Sequence, residues 1–378
     1  MTKLTAAELQ MVEGTRGFID QWVKPRVVDW DRGLADSREV LPAAAKLGLL
    51  GIQVPVASGG AGLSFGCKAR LLELVAGTDF GLAMSLVNTH NVAEDLARAA
   101  SSSVAQEYVP DLLSGRRTAC TALTELGAGS DFAAIETSAT PIADGWRLNG
   151  RKTWITNGAH AEVIVAYAQT QAGSGAAGIG AFIVDARREG LRRDPGGDMD
   201  IVRSMGTGGF SFDNYLCRSD EVLYPAGQAF KSVLNSINGA RIYVAAMCCG
   251  MVGECLRIAD SFGLRRQTFG KPLHQHQGWR WSLAEAAIDL DTARLMVESA
   301  ATLIDAGQDA QGAAARAKIF ATRMAQVQIP ALLHAMGAEG LRFEHPFLRH
   351  LAATQLVGLV DGSTEMLLER IVKDIRRP

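Results

Sequence analysis

An apolar pattern that repeats every seven residues restricts the fold of this chain more than any other feature. A large apolar residue recurs at one position of the repeat and alanine at another: Leu283, Leu290, Val297 and Ile304, with Ala286, Ala293 and Ala300. The heptad predicts a helix of roughly 30 residues, about 45 Å long, whose alanine face lets neighbouring helices approach closely. Helices of that length are typical of bundles, so we predict a helix bundle for residues 223–378.

The hydrophobic period changes in the middle of the chain. Residues 1–115 have a helical period that starts with a capping-box pattern from Thr5 to Glu8. In residues 116–222, segments 162–169 and 179–186 are predicted to be strands, and Asn149-Gly150 predicts a two-residue hairpin. The predicted fold is therefore mainly α with a central β-barrel, in three domains at 1–115, 116–222 and 223–378.

Composition and charge exclude several classes of protein. The 378 residues include 38 Lys and Arg against 40 Asp and Glu, and this near balance gives no electrostatic drive toward nucleic acid. No stretch reaches 18 uninterrupted apolar residues, so no membrane span is expected. The six cysteines lack CxxC spacing, and no HExxH motif suggests a metal. Reduced cysteines and the absence of a recognisable leader lead us to expect a cytoplasmic protein.

Four short motifs follow one another along the chain: TELGAGSD at 124–131, WITNG at 154–158, RRQTFGKPL at 265–273 and DGSTEM at 361–366. The first could expose backbone N–H groups to a polar ligand, although on its own it equally fits an ordinary glycine-rich turn. Together, in this order, the motifs resemble those of the acyl-CoA dehydrogenase family over nearly the whole chain. The resemblance implies an N-terminal helical domain, a middle β-barrel, a C-terminal four-helix bundle, FAD bound without a GxGxxG motif, and a homotetramer or homodimer.

The resemblance also implies which residues bind FAD. Those expected at the isoalloxazine ring are Leu123, Thr124, Gly129, Ser130, Trp154 and Thr156. Those expected at the pyrophosphate and adenine of a neighbouring subunit's FAD are Arg266, Phe269, Gln277, His334 and Gly337, and Ser363 and Glu365 complete the cofactor contacts. From the residues alone, Trp154 could instead be a core aromatic, and Arg266 a solvated arginine at a helix end.

The catalytic base is expected at Asp361. Desaturation of a thioester needs a base for the α-proton and an acceptor for the β-hydride. The family usually has Glu just before Gly-Thr, whereas this chain has Asp361, one methylene or about 1.5 Å shorter. At the other family position for the base, before Arg241, stands Ala240, which cannot accept a proton. The alternative for Asp361 is an ordinary aspartate in a turn before a helix.

Substrate contacts are expected from Ser130, Asn238 and Arg241, by the same resemblance. The polar run Asn88-Thr89-His90 suggests a small or functionalised acyl group, with a helix surface or capping turn as the alternative. The segment from Met205 to Asp213 is about five residues shorter than the corresponding family loop.

The function that the resemblance implies is an FAD-dependent acyl-CoA dehydrogenase. Asp361 would abstract the α-proton, the β-hydride would pass to flavin N5, and a 2,3-enoyl thioester would form. An electron-transfer flavoprotein is the expected acceptor. Alternatives with the same site are a lyase or desulfinase acting on a β-substituted acyl-CoA, a reductase working in the opposite direction, and an acyl-ACP dehydrogenase, because CoA and acyl carrier protein present the same phosphopantetheine.

Overall fold

The computed structural model describes residues 4–194, 199 and 201–375. The chain forms two compact units, each built from separate stretches of sequence. The first comprises Met1–Asp36, Ser64–Ala83 and Ile237–Pro378, and the second comprises Ser37–Leu63 and Met84–Ser236.

Helices supply most of the structure. They are α1 Ala6–Phe18, α2 Val27–Asp31, α3 Leu41–Leu47, α4 Phe65–Thr78, α5 Phe80–Ala99, α6 Ser102–Leu113, α7 Ala229–Arg265, α8 Gln277–Asp305, α9 Gln311–Met336, α10 Phe347–Val357 and α11 Thr364–Ile375. The capping box at α1 is confirmed, because the Thr5 hydroxyl accepts a hydrogen bond from Glu8 N and the Glu8 carboxylate accepts one from Thr5 N.

The long helix predicted from the heptad is confirmed as α8, which has 29 residues. Its alanine positions 286, 293 and 300 are fully buried, which lets α8 and α9 lie against each other. Among the described helices, α7 alone has the length and composition of a membrane span, and 72% of that apolar window is buried inside the protein. Core helices of globular proteins have the same character.

The strands of the second unit are β1 Ala119–Ala122, β2 Ser138–Ile142, β3 Gly145–Ile155, β4 Val163–Gln169, β5 Ile179–Asp185, β6 Leu191–Asp194, β7 Gly208–Arg218 and β8 Val222–Tyr224. They form one sheet in the order β6-β7-β3-β2-β4-β5-β8, with β1 parallel to β4. A two-stranded ribbon, β9 Gln267–Thr268 and β10 Lys271–Pro272, lies in the first unit.

The predicted barrel is wrong, because the sheet is open. Within the described residues, β6 pairs only with β7 and β8 pairs only with β5, so the two edges do not meet. Closure requires hydrogen bonds between the first and last strands, and edge strands of four and three residues offer few donors and acceptors for them.

The predicted hairpin at Asn149-Gly150 is also wrong, since both residues lie inside β3. The register against β7 shifts between Leu148 and Gly150, and the Asn149 side chain accepts a hydrogen bond from Asn214 N. Gly150 has φ +145°, and a Cβ there would lie 2.5 Å from the Thr137 hydroxyl. The Asn-Gly pair therefore serves an irregular strand pairing, where glycine is needed for space and conformation. The chain reverses instead between Ile142 and Gly145.

Candidate active site

Asp361 lies in the short connection between α10 and α11, and its backbone is strained. It has φ +54°, and Gly362 follows with φ +98°. A non-glycine residue in the left-handed region is uncommon, and aspartate is among the residues that tolerate it best. Strain of this kind persists only where surrounding contacts hold the backbone, and it concentrates at functional sites.

Two cations hold the backbone around Asp361. Lys318 of α9 donates from Nζ to the carbonyls of Val360 and Gly362, the latter at 2.7 Å. Arg241 of α7 donates from Nε to the Asp361 carbonyl at 3.0 Å. Three successive carbonyl groups are therefore bound by two side chains from two other helices.

The two cations differ in their exposure to solvent. Lys318 is only 1% exposed, and Arg241 is half-buried. Arg241 also donates from Nη1 to Asn238 Oδ1 at 2.9 Å, so two of the three residues predicted to contact substrate are hydrogen-bonded to each other. A Cβ on Gly362 would lie 3.3 Å from Arg241 Nη2, so the turn packs closely on the guanidinium.

Burial and charge act in opposite directions on the Asp361 carboxyl. Burial raises its pKa above the ordinary aspartate value, while the charges of Lys318 and Arg241 oppose that rise. Burial lowers the pKa of Lys318 to about 8, with Asp361 opposing the change and Arg241 adding to it. A carboxylate whose pKa is moved toward neutrality is suited to accept a proton at physiological pH.

Ser363 and Glu365, the predicted cofactor contacts of the DGSTEM motif, lie at the start of α11. The Ser363 hydroxyl accepts a hydrogen bond from Met366 N at 3.4 Å, which caps the helix, and Glu365 is exposed in the first turn. Their predicted cofactor contacts stay predictions.

The sheet of the second unit carries the residues predicted at the isoalloxazine ring. Leu123 and Thr124 follow β1 and are half-buried, and the Thr124 carbonyl accepts a hydrogen bond from Thr153 N at 3.1 Å. The exposed Gly129 and Ser130 follow in the glycine-rich turn, and a Cβ at Gly129 would meet no atom within 4 Å. Thr156, just past β3, is half-buried.

Trp154 lies at a bulge near the end of β3. The register against β7 shifts between Lys152 and Ile155, and Trp154 has φ +54°. The extra residue turns the indole outward, so the side chain is 52% exposed rather than packed in the core. The core-aromatic alternative for Trp154 is therefore wrong. An exposed indole next to Thr153, whose N–H binds the Thr124 carbonyl, is suited to pack on one face of a planar flavin ring.

A buried ion pair supports this surface from below. Lys152 is fully buried, and its ammonium donates to Glu125 Oε1 at 2.6 Å and to the Leu123 carbonyl at 3.0 Å. Glu125 also accepts from the backbone N–H groups of Glu136 and Thr137. Burial alone would raise the pKa of Glu125, but the Lys152 charge and these hydrogen bonds hold it below the ordinary value.

The residues expected at the neighbouring subunit's FAD lie in the first unit, near the ends of its long helices. Trp279 brings the elements together, because its indole N–H donates to the Ala335 carbonyl at 3.1 Å and its ring lies where a Cβ on Gly263 would be. The ends of α7 and α9 therefore meet the start of α8. All five predicted residues of this group are exposed: Arg266, Phe269, Gln277, His334 and Gly337.

Phe269 stands at the tip of the β9–β10 ribbon and is 96% exposed. Phe269 and Gly270 have φ values of +50° and +76°, the signs that a type I′ turn requires. A phenylalanine held in this conformation with its ring in solvent is suited to stack against an aromatic ligand such as adenine. Exposed Arg266, just past the end of α7, adds a guanidinium suited to a diphosphate.

The polar run at 88–90 has a structural role. The Asn88 side chain accepts from Thr121 N, the Thr89 hydroxyl accepts from Ala119 N, and His90 Nε2 accepts from Gln53 N. These contacts bind neighbouring backbone and favour the structural alternative over contact with an acyl group. The expected loop at 205–213 is largely strand, since β7 begins at Gly208.

Sequence reasoning missed Lys318, Lys152, Asn157 and Trp279. Lys318 carried one signal, because it and Arg316 interrupt the otherwise apolar segment AAARAKIFAT at 313–322. Asn157 is fully buried, and its amide binds the carbonyls of Ser85 and Ala119 and the Ser85 hydroxyl. Two cavities of about 930 and 950 Å³ in the first unit contain none of the predicted site residues.

Comparison with known proteins agrees with this arrangement. Models for the N-terminal, middle and C-terminal domains of acyl-CoA dehydrogenases match residues 5–116, 120–215 and 227–375. The short-chain specific acyl-CoA dehydrogenase of Homo sapiens mitochondria is 31% identical over 89% of this chain and 83% of its own length.

Two solved structures match this chain over its full length and theirs, each with a TM-score of 0.95. One is butyryl-CoA dehydrogenase from Megasphaera elsdenii, at 26% identity. The other is a chain from a structure described as the electron transferring flavoprotein of Acidaminococcus fermentans, at 25% identity. The chain belongs to the acyl-CoA dehydrogenase family of FAD-dependent oxidoreductases.

Proposed function

We propose that this protein oxidises short acyl-CoA thioesters to 2,3-enoyl thioesters and that Asp361 is its catalytic base. The observation that carries the proposal is the Asp361 carboxyl, half-buried on a strained turn that Lys318 and Arg241 bind through three carbonyls. Such a turn presents one carboxylate in a fixed place, which proton abstraction requires because a displacement of about 1 Å can cost roughly a hundredfold in rate.

The Asp361 carboxylate takes the α-proton of the thioester. The electron pair of that C–H bond becomes part of the new double bond as the β-hydrogen leaves with its own pair. FAD held by the residues predicted at its ring would supply the acceptor for that hydride. Burial raises the pKa of Asp361 and so favours uptake of the proton. Aspartate has a shorter side chain than glutamate. It therefore fits this role if its backbone is held in a fixed position.

The remaining predicted residues divide between the flavin and the substrate. Thr124, Trp154 and Thr156, together with Leu123, Gly129 and Ser130, would bind the ring, and exposure of the indole supports this. Ser363 and Glu365 would add cofactor contacts at the start of α11. Asn238 and Arg241, with Ser130, would bind the thioester side of the substrate.

We propose a homotetramer or homodimer, because part of the predicted FAD contacts would come from a second copy of the chain. Arg266, Phe269 and Gln277, with His334 and Gly337, would bind the adenosine diphosphate part of the neighbour's FAD. An apolar stripe on α8 supports association with other copies, since Trp281, Ile288 and Leu295 are spaced by seven residues and are each more than 60% exposed.

The substrate class and the partners rest on the relatives. The human relative and the Megasphaera structure are named for short acyl groups, which supports a short acyl-CoA. The Acidaminococcus structure is described as an electron transferring flavoprotein, which supports a protein of that kind as the electron acceptor. All six cysteines are buried free thiols, as expected in the cytoplasm.

The test is anaerobic reduction of the purified holoenzyme's flavin by a panel of acyl-CoAs from acetyl to octanoyl, with branched and dicarboxylic members. Rapid bleaching by butyryl-CoA or a near neighbour, lost in Asp361→Asn at unchanged FAD content, supports the proposal. Bleaching retained in Asp361→Asn would refute the assigned base. No bleaching by any member would refute the acyl-CoA dehydrogenase and favour an acyl-ACP substrate or non-redox chemistry such as the lyase.

A further inference from the structure

Lys318 is a buried ammonium that no step of the reaction uses. It is 1% exposed and lies on the inner face of α9, where Ala314, Ala321 and Ala325 are fully buried. An isolated ammonium in such surroundings is costly, and a lysine is retained there only with compensating partners. Its partners are the carbonyls on either side of Asp361, those of Val360 and Gly362.

The geometry of these bonds restricts the backbone of Asp361 itself. The carbonyls of residues 360 and 362 can converge on one nitrogen only while the peptide planes between them keep the left-handed turn. That turn consists of Asp361 at φ +54° and Gly362 at φ +98°. An unfavourable conformation costs of order 1–3 kcal/mol per residue, and charge-assisted hydrogen bonds can offset that cost.

Lys318 also acts on the Asp361 side chain through its charge. The groups that act on the two residues are Arg241 and the buried thiol of Cys248, both on α7, and Arg370 of α11 acts in turn on Arg241. Arg241 shares the task of favouring the carboxylate, and burial raises the pKa of Cys248 to about 12, so the thiol stays neutral at physiological pH. Lys318 is therefore one of two cations whose charge favours the ionised form of the half-buried Asp361 side chain.

We propose that Lys318 is a positioning residue for the catalytic base: its hydrogen bonds fix the left-handed turn that presents Asp361, and its charge keeps that carboxylate ready to accept a proton. The proposal rests on the assignment of Asp361 as the base. It explains how an aspartate can serve where the family usually has a longer glutamate, because a short side chain depends more strongly on where its backbone is held.

Two substitutions separate the hydrogen bonds of Lys318 from its charge. Lys318→Gln keeps a neutral N–H donor, whereas Lys318→Met removes both donor and charge. The matched control is Thr322→Val, one turn later on α9, because Thr322 is also buried and its hydroxyl has no hydrogen-bond partner among the described residues. All variants are prepared as holoenzyme, with FAD content and circular dichroism compared with wild type.

The first readout is the pH dependence of kcat/KM with butyryl-CoA and an artificial electron acceptor. An opposite charge nearby lowers a carboxyl pKa by roughly 1–3 units, so both Lys318 variants should move the acidic limb upward by about one pH unit or more. Loss of the fixed turn should lower kcat about a hundredfold in Lys318→Met. Lys318→Gln should recover part of kcat but not the position of the limb, and Thr322→Val should leave both unchanged.

The second readout needs no turnover. The difference in melting temperature between Asp361→Asn and its parent, measured from pH 4 to 9, titrates with the Asp361 carboxyl. With Lys318→Met as parent, the pH at which this difference develops should rise by about one unit. A shift here without turnover in wild type would support the role of Lys318 and refute the proposed function. The inference would be overturned if neither the acidic limb of kcat/KM nor the pH dependence of the melting-temperature difference moved, and if kcat fell equally in Lys318→Met and Thr322→Val.

Discussion

Breaking the buried ion pair between Lys152 and Glu125 should cause a large loss of stability. Lys152→Met removes the ammonium and leaves Glu125, only 7% exposed, without its cation. Breaking one side of a buried pair costs about 3–5 kcal/mol because an uncompensated charge stays buried. In a unit of this size each kcal/mol lowers the melting temperature by about 2–4 °C, so we expect a loss on the order of 10 °C.

The dependence on pH identifies the cause. In wild type the pKa of Glu125 is held low, so its stabilisation is present above the unfolded carboxyl pKa and is lost as pH falls through the folded value. In Lys152→Met the unpaired carboxyl instead favours the protonated form, so the deficit should be largest at neutral pH and should shrink as pH falls toward about 5. Thermal unfolding by circular dichroism from pH 5 to 8 measures this.

Two further variants complete this experiment. Lys152→Met with Glu125→Gln removes the buried charge but keeps an acceptor for the N–H groups of Glu136 and Thr137, so it should recover most of the lost stability. Lys231→Met removes an exposed lysine and should change stability by about 0.5 kcal/mol or less. A deficit that is equal at every pH, or that persists fully in the double variant, would refute the ion-pair explanation.

Three other predictions concern the site and its supports. Asp361→Asn should raise the melting temperature at neutral pH, and the gain should vanish below about pH 4, because a folded pKa above the unfolded value makes ionisation destabilising; calorimetry across this range measures it. Gly263→Ala should destabilise by about 1–3 kcal/mol in urea, because its Cβ would overlap the Trp279 ring, and an unchanged midpoint would contradict that packing. Phe269→Ala should leave stability unchanged, since the ring is 96% exposed, yet weaken FAD affinity roughly tenfold or more in fluorescence titration, as loss of about 1–3 kcal/mol of stacking implies; equal affinity would refute the adenine contact.

Local patterns predicted several elements correctly. The heptad that includes Leu290 and Ala293 predicted α8, and the capping box predicted the start of α1, because both depend on residues a few positions apart. The motifs likewise identified the family, since their order along the chain is itself a property of the sequence.

Pairing between distant segments could not be predicted in the same way. The Asn149-Gly150 pair has the composition of a hairpin turn. In the structure it lies inside β3, at a point where the register of β3 against β7 shifts. Closure of the sheet depends on whether β6 and β8 meet, and neither strand carries a local signal for that. Trp154 has the character of a core residue, and a one-residue bulge turned it outward.

The helical and strand-forming zones, the family and the carboxylate at position 361 can all be read from the order of the residues. How that carboxylate is held depends on the folded chain. Lys318 lies 43 positions before Asp361 and Arg241 lies 120 positions before it, and folding brings both onto successive carbonyls of one strained turn. Such contacts arise from the packing of one helix against another. The hydrophobic pattern of each helix shows which face is buried but not which residues that face will meet.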